Sequence, residues 1–258
     1  MNNNFHNILI WALPASGKSE VLTHIRSLTP EQRAALHIGD LIEIDDERER
    51  NNKPRVFTIK QTYDDGGFLE PELWDDLDQH LNARYDKTLL RSPDIHETST
   101  IMLECARGGA VGAQFPLAHG YQQTLRNLDS NILSLAAVLY VNVPPEESRR
   151  KNDERYDPND HHGILSHRVP TQVMLRDYGC DDMEWMAGEA SKKGRDGLIQ
   201  HPTTRLLIPY AVFDNTADLT SFVRKKDLSA AERETQAARL TEALENALGP
   251  LFERYVKR

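Results

Sequence analysis

Short apolar runs alternate along this chain with longer stretches of helical periodicity, the pattern of a parallel sheet covered by helices. The first run is Asn7 to Trp11. Behind it Val21, Leu22, Ile25 and Leu28 fall on one helical face, so a helix is expected from Lys18 to about Leu28. Thr29-Pro30-Glu31-Gln32 opens a short capped helix, with Thr as N-cap, Pro at the first position and Gln at the third. The second strand has two candidate positions. One is Ala35 to Ile38, ending at Gly39-Asp40, and the other is Leu41 to Ile44, ending at Asp45-Asp46. Pro71 to Tyr85 predicts a helix, Thr100 to Leu103 a strand, and Tyr121 to Leu128 a helix. Ala136 to Val143 is apolar on both faces, as a central parallel strand should be. Pro144-Pro145-Glu146-Glu147 opens the next helix with acids at its N-terminal end. Leu206 to Phe213 is the last strand, with its core expected after Pro209. Ser229 to Glu232 forms a capping box for a tail helix over 229–256, and Leu240, Leu244, Leu248, Leu251 and Tyr255 make one stripe on it. Gly249-Pro250 is expected to kink or break that helix.

The polar segments 41–98 and 156–204 read as insertions in a single domain spanning 1–258, the first with a turn at Asp65-Gly66-Gly67. The expected class is α/β, three-layered, with a five-stranded parallel sheet and helices on both faces. Composition agrees: 258 residues, 39% hydrophobic and 28% charged, are enough for one large α/β domain. A formal charge of −9 disfavours non-specific nucleic-acid binding, which needs clustered Lys and Arg. Two cysteines, Cys105 and Cys180, suggest no disulfide framework. No apolar stretch approaches the roughly 20 residues of a membrane span. The start lacks the charged-then-apolar layout of a signal peptide, so a cytoplasmic location is expected.

Residues 12–19 carry the strongest chemical signal. Ala12-Leu13-Pro14-Ala15-Ser16-Gly17-Lys18-Ser19 is a Walker A phosphate-binding loop, with Ala in place of the first Gly. It stands between a strand and an amphipathic helix, the context the motif requires. Such a turn points backbone N–H groups inward as a nest for phosphate oxygens, and the following helix adds its positive end. Pro14, Ala15, Ser16 and Gly17 would form the cradle, Lys18 would reach the β/γ-phosphates, and the Ser19 hydroxyl would ligate Mg²⁺.

Ligands of open α/β sheets bind where the strands end. The other strand ends offer Asp40, Glu104 and Arg107, then Ser148-Arg149-Arg150-Lys151 with Arg155. Acids that position metal-bound water or accept a proton, with guanidinium groups for transferring charge, are the mixture phosphoryl transfer needs. Each has a plainer use: Asp40 as a helix cap, Glu104 as a surface acid, Arg107 as a solvated turn residue, and Arg149, Arg150 and Arg155 as partners of Glu146, Glu147 and Asp153. His161, His162 and His167 lack the spacing of a metal site. Lys192, Lys193 and Arg195 offer a phosphate contact or a solvated basic turn. Trp74 and Trp185 are core or lid residues.

Three stretches resemble the P-loop small-molecule and nucleotide kinases of the adenylate-kinase-like kind. They are Leu13 to Ser19, His37-Ile38-Gly39-Asp40, and Val141-Asn142-Val143-Pro144 followed by Arg149 and Arg155. Glu104-Cys105-Ala106-Arg107-Gly108-Gly109 stands where adenylate kinases carry Asp-Gly-Phe-Pro-Arg, and is reminiscent of nucleoside and zeta-toxin-like kinases. The resemblance implies a P-loop fold with two mobile insertions, 41–98 over the acceptor and 156–204 over ATP. It implies a Mg²⁺-dependent kinase that moves the γ-phosphoryl of ATP to a nucleotide, nucleoside or other small hydroxyl acceptor. Asp40 would be the general base, Glu104 or Asp40 would stand in the metal's water shell, and Arg107 and the 149–155 arginines would hold the phosphates. The alternative is a P-loop NTPase that hydrolyses ATP or GTP to drive a partner; the chain lacks a GTPase Asn-Lys-x-Asp at a late strand end and an ABC-type Leu-Ser-Gly-Gly.

Overall fold

The computed structural model describes residues 3–45, 72–156 and 168–258. In chain order the elements are β1 (Asn7–Trp11), α1 (Lys18–Ser27), α2 (Pro30–Ala35), β2 (Asp40–Asp45), α3 (Leu73–Arg91), β3 (Ser99–Cys105), α4 (Tyr121–Asn127) and α5 (Ser130–Leu133). Then come β4 (Ala136–Asn142), α6 (Pro145–Glu154), α7 (Thr171–Arg176), α8 (Met183–Ser191), β5 (Leu198–Gln200), β6 (Leu207–Asp214) and α9 (Ala230–Lys257). Among the described residues the strands form one mixed sheet in the order β2-β3-β1-β4-β6-β5. Successive neighbours from β2 to β6 are parallel. β5 closes the edge antiparallel to β6.

Alternation along β1 assigns the two faces. Ile8 and Ile10 pack with Val21 and Ile25 of α1 and with Leu244 and Leu248 of α9. Leu9 and Trp11 face the other way, against Leu81 and Tyr85 of α3, Leu125 of α4 and Met183 of α8. Trp11 stacks on Tyr121 with ring centroids 4.5 Å apart. The sheet is thus an α/β layer with helices on both sides.

The second strand occupies the later of its two candidate positions. Leu36-His37-Ile38 mimics strand alternation because Leu36 and Ile38 are both buried while His37 is not. The chain there is a left-handed turn: His37 has φ 57°, and Ile38 N–H donates to Arg33 C=O at 2.9 Å. Residues 40–45 therefore belong to the sheet, and 73–91 to the helix covering it. Residues 46–71 of the first insertion, with Asp46 and the Asp65-Gly66-Gly67 turn, lie outside the described residues, as do His161, His162 and His167.

Two prolines behave differently from each other. Pro209 stands inside β6, but β4 pairs with β6 only from Tyr210 onward, so the missing N–H interrupts no bond to β4. Pro250 does not break α9, which runs through it. An interior proline costs about 3 kcal/mol. Leu251, Phe252 and Tyr255 lie beyond it, all buried, and the two rings pack against Phe5 at 5.0 and 5.1 Å. Burial of three such side chains is worth about 5–9 kcal/mol, so the last turns hold.

Two distant contacts fix the remaining helices. Asp182 accepts the N–H groups of Tyr121 at 2.7 Å and Gln122 at 3.1 Å, capping α4 from sixty residues away. Tyr140 donates to Asp181 at 2.8 Å. Among the described residues no helix is long and apolar enough to cross a membrane.

Leu244 is fully buried at the centre of the α9 stripe. Leu244→Ala should lower the unfolding free energy by about 2–5 kcal/mol in urea denaturation, with an unchanged dependence on denaturant concentration.

Candidate active site

Neighbouring parallel strands whose chains leave for opposite faces create a crevice between their ends. β1 leads to α1 on one face, and β3 leads to α4 on the other. Trp11 and Cys105, the last residues of these strands, are register partners. The turn of residues 12–19 and Glu104 therefore meet above the gap.

The turn is built from two left-handed residues, Ala15 at φ 58° and Gly17 at φ 105°. Ser16 N–H closes it on Leu13 C=O at 3.3 Å. Only glycine fits position 17: a Cβ there would stand 2.5 Å from Thr220 Oγ1 and 2.6 Å from Asn215 Nδ2, besides the strain of the backbone angle. Two side chains from elsewhere grip the outside of the turn. Ser148 of α6 donates to Pro14 C=O at 2.7 Å, and Asn215, just past β6, donates to Ser16 C=O at 2.8 Å.

Inside the crevice Lys18 Nζ donates to Ala12 C=O at 3.2 Å and lies 3.9 Å from Glu104 Oε1. Ser19 donates to the same carboxylate oxygen at 3.5 Å. Burial pushes the Glu104 carboxyl up to about 7. Lys18 opposes that shift, while Asp45, Glu43 and Glu20 add to it. The Ser16 hydroxyl and one Arg149 guanidinium nitrogen are buried, with no hydrogen-bond partner among the described residues.

The expected acid of the second strand is corrected. Asp40 begins β2, beside Ser99 at the start of β3, whereas Glu104 is near the end of β3. Five residues of strand, roughly 16 Å, separate the two levels. Asp40 is exposed and pairs with Arg33 at 3.2 Å. Asp45, at the other end of the strand, is the residue in register with Glu104.

The arginines divide. Arg107 is buried and donates to Asp78 at 2.7 Å, with its guanidinium 5.6 Å from the Trp74 ring centre. Asp78 also accepts from Asn127 at 2.9 Å, so this pair ties the loop after β3 to α3 and α4. Arg150 is solvent-exposed and pairs along its own helix with Glu147 and Glu154, not with the turn. Arg155 caps the end of α6 and contacts Asn152 at 3.4 Å. Lys192 pairs with Glu189, and Arg195 donates to Gln200, which is paired with Leu207 at the start of β6. That basic turn is on the edge of the sheet remote from residues 12–19. Trp74 is core, packed in a small cluster with Leu13 and Tyr178, and Trp185 is half-buried, stacked on Phe115.

Asn215 and Thr220 were not singled out by sequence. The one signal Asn215 carries is position: it is a polar residue directly beyond the end of β6.

No family model matches the chain, and no curated protein does. Among solved structures it is similar to the unliganded structure of a sugar kinase from Janibacter sp. HTCC2649, at 13% identity and a TM-score of 0.34, over 93% of this chain and 94% of that one. A TM-score that low does not establish a common fold.

The Glu104 shift gives a signed expectation. A carboxyl whose folded pKa lies above its unfolded value binds more protons when folded, so stability falls as pH rises from about 4.5 toward 7. Glu104→Gln removes this loss. In metal-free buffer the variant should match the wild type near pH 5 and exceed it by up to about 3 kcal/mol at pH 8, measured by urea denaturation. The buried Arg107–Asp78 pair gives another. Asp78→Ala strands the guanidinium and should cost about 3–5 kcal/mol in the same assay.

Proposed function

We propose that this chain is an ATP-dependent phosphotransferase of the P-loop kind, acting on a nucleotide, nucleoside or other small hydroxyl acceptor. One observation carries the reading. The Walker A residues form a left-handed turn between a central parallel strand and a helix, with Lys18 and Ser19 both set against Glu104.

The donor set suits the metal. Ser19 and Glu104 bring a hydroxyl and a carboxylate oxygen within 3.5 Å of each other. Mg²⁺ is commonly held by one or two carboxylates together with substrate phosphates and water. When bound, Mg²⁺ neutralises charge on the phosphate oxygens. Lys18 and the N–H groups of the turn orient the β- and γ-phosphates. One nitrogen of Arg149 and the Ser16 hydroxyl, without hydrogen-bond partners among the described residues, would be further donors for phosphate oxygens. Asp45, beside Glu104, replaces Asp40 as the candidate acceptor of the substrate hydroxyl's proton. Arg107 is a positioning residue that holds α3 against the loop after β3.

Lys18→Ala should weaken Mg·ATP binding at least about tenfold by titration calorimetry, the scale of a lost charge-assisted contact. Unchanged affinity would overturn the assignment of the turn. A screen of nucleotides, nucleosides and small alcohols should reveal acceptor-dependent ADP formation. Phosphate release that no acceptor alters would favour the switch NTPase instead.

A further inference from the structure

Asn215 is completely buried, and every polar group it owns is used. Its side-chain nitrogen donates to Ser16 C=O at 2.8 Å and to Thr220 Oγ1 at 2.9 Å. Its side-chain oxygen accepts Leu219 N–H at 2.8 Å. Its main-chain N–H donates to Asn142 C=O at 2.9 Å, and its own C=O accepts from Lys151 Nζ at 3.2 Å. Lys151, itself buried, is held by Asp218 at 3.1 Å. One residue thus joins the turn to the end of β4, to α6 and to the loop after β6.

The geometry of a peptide unit makes this consequential. In a planar trans peptide the C=O and the following N–H point in opposite directions. Holding Ser16 C=O from outside therefore aims Gly17 N–H inward. Ser148, fully buried on α6, does the same one peptide pair earlier: its grip on Pro14 C=O aims Ala15 N–H inward. Residues 15 and 17 are the two left-handed positions of the turn; Ala15 carries the strain of that conformation, while Gly17 adopts it freely.

We infer that Asn215 and Ser148 are the positioning residues of the phosphate-binding turn: they anchor two outward carbonyls so that the Ala15 and Gly17 N–H groups converge on phosphate. This deepens the proposed phosphotransferase reading and rests on it for the identity of the ligand.

Asn215→Asp is the discriminating variant. It keeps the shape, and the aspartate can still accept from Leu219 N–H and Thr220, but it replaces the donor to Ser16 C=O with an acceptor. Ser148→Ala is the second variant, in case the first does not fold. Leu244→Ala serves as the control for general loss of stability. Two measurements are made on the full chain: Mg·ATP affinity by calorimetry, and ¹⁵N relaxation of the Ala15 and Gly17 amides without ligand.

Asn215→Asp and Ser148→Ala should each weaken Mg·ATP at least about tenfold. They should also lower the order parameter of the affected amide from about 0.85 to below about 0.6. Leu244→Ala should leave both readouts at wild-type values. Amides that stay ordered in both positioning variants, or a loss that Leu244→Ala reproduces, would overturn the inference. A wild-type chain that binds no Mg·ATP would overturn the phosphotransferase reading, while the relaxation data would still decide whether these side chains orient the turn.

Discussion

Two parallel strands that lie side by side and send their chains to opposite faces must leave a gap where they part. The candidate site depends on this constraint more than on any single residue. β1 departs toward α1 and β3 toward α4, so the end of each strand is left without a covering crossover on one side. The turn of residues 12–19 rises on one lip of the gap and Glu104 on the other, within 3.9 Å of Lys18. Trp11, stacked flat on Tyr121, seals the floor. A lysine, a hydroxyl and a carboxylate from positions 85 residues apart are brought together by topology first and by side-chain chemistry second.

The electrostatics of the crevice follow from the same placement. A chain with a net charge of −9 would not attract polyphosphate as a whole. Locally, Glu104 is half-buried and faces Asp45, Glu43 and Glu20, so its charge is costly near neutral pH. Lys18 offsets part of that cost. The crevice therefore sets a lysine beside a carboxylate that gains by acquiring a cationic companion.

Much of this was legible in the sequence, for identifiable reasons. β1 and β4 are continuous apolar runs, and α9 carries a stripe of leucines, so each announced itself through periodicity. The Walker A residues carry their geometry with them, because Gly17 tolerates no side chain. The second strand was ambiguous because burial of Leu36 and Ile38 around a left-handed His37 copies the alternation of a strand. That ambiguity put Asp40 at the end of the strand, whereas it begins β2 and Asp45 ends it. β5 is three residues long and carries no pattern of its own. Arg107 read as a phosphate contact; its partner in the structure, Asp78, lies 29 residues earlier on a different element, and only packing reveals that pair. The struts Ser148 and Asn215 act on backbone carbonyls, which no sequence motif records.

The hydrogen bond between Asn215 and Ser16 spans 199 residues. One of the two outer supports of the turn therefore lies just past β6, on the far side of β4 from β1. Ser16 C=O keeps its partner only while that end of the sheet is docked. Fraying at β6 and loosening of residues 12–19 are thus a single event, and the turn is as rigid as the strand end it leans on.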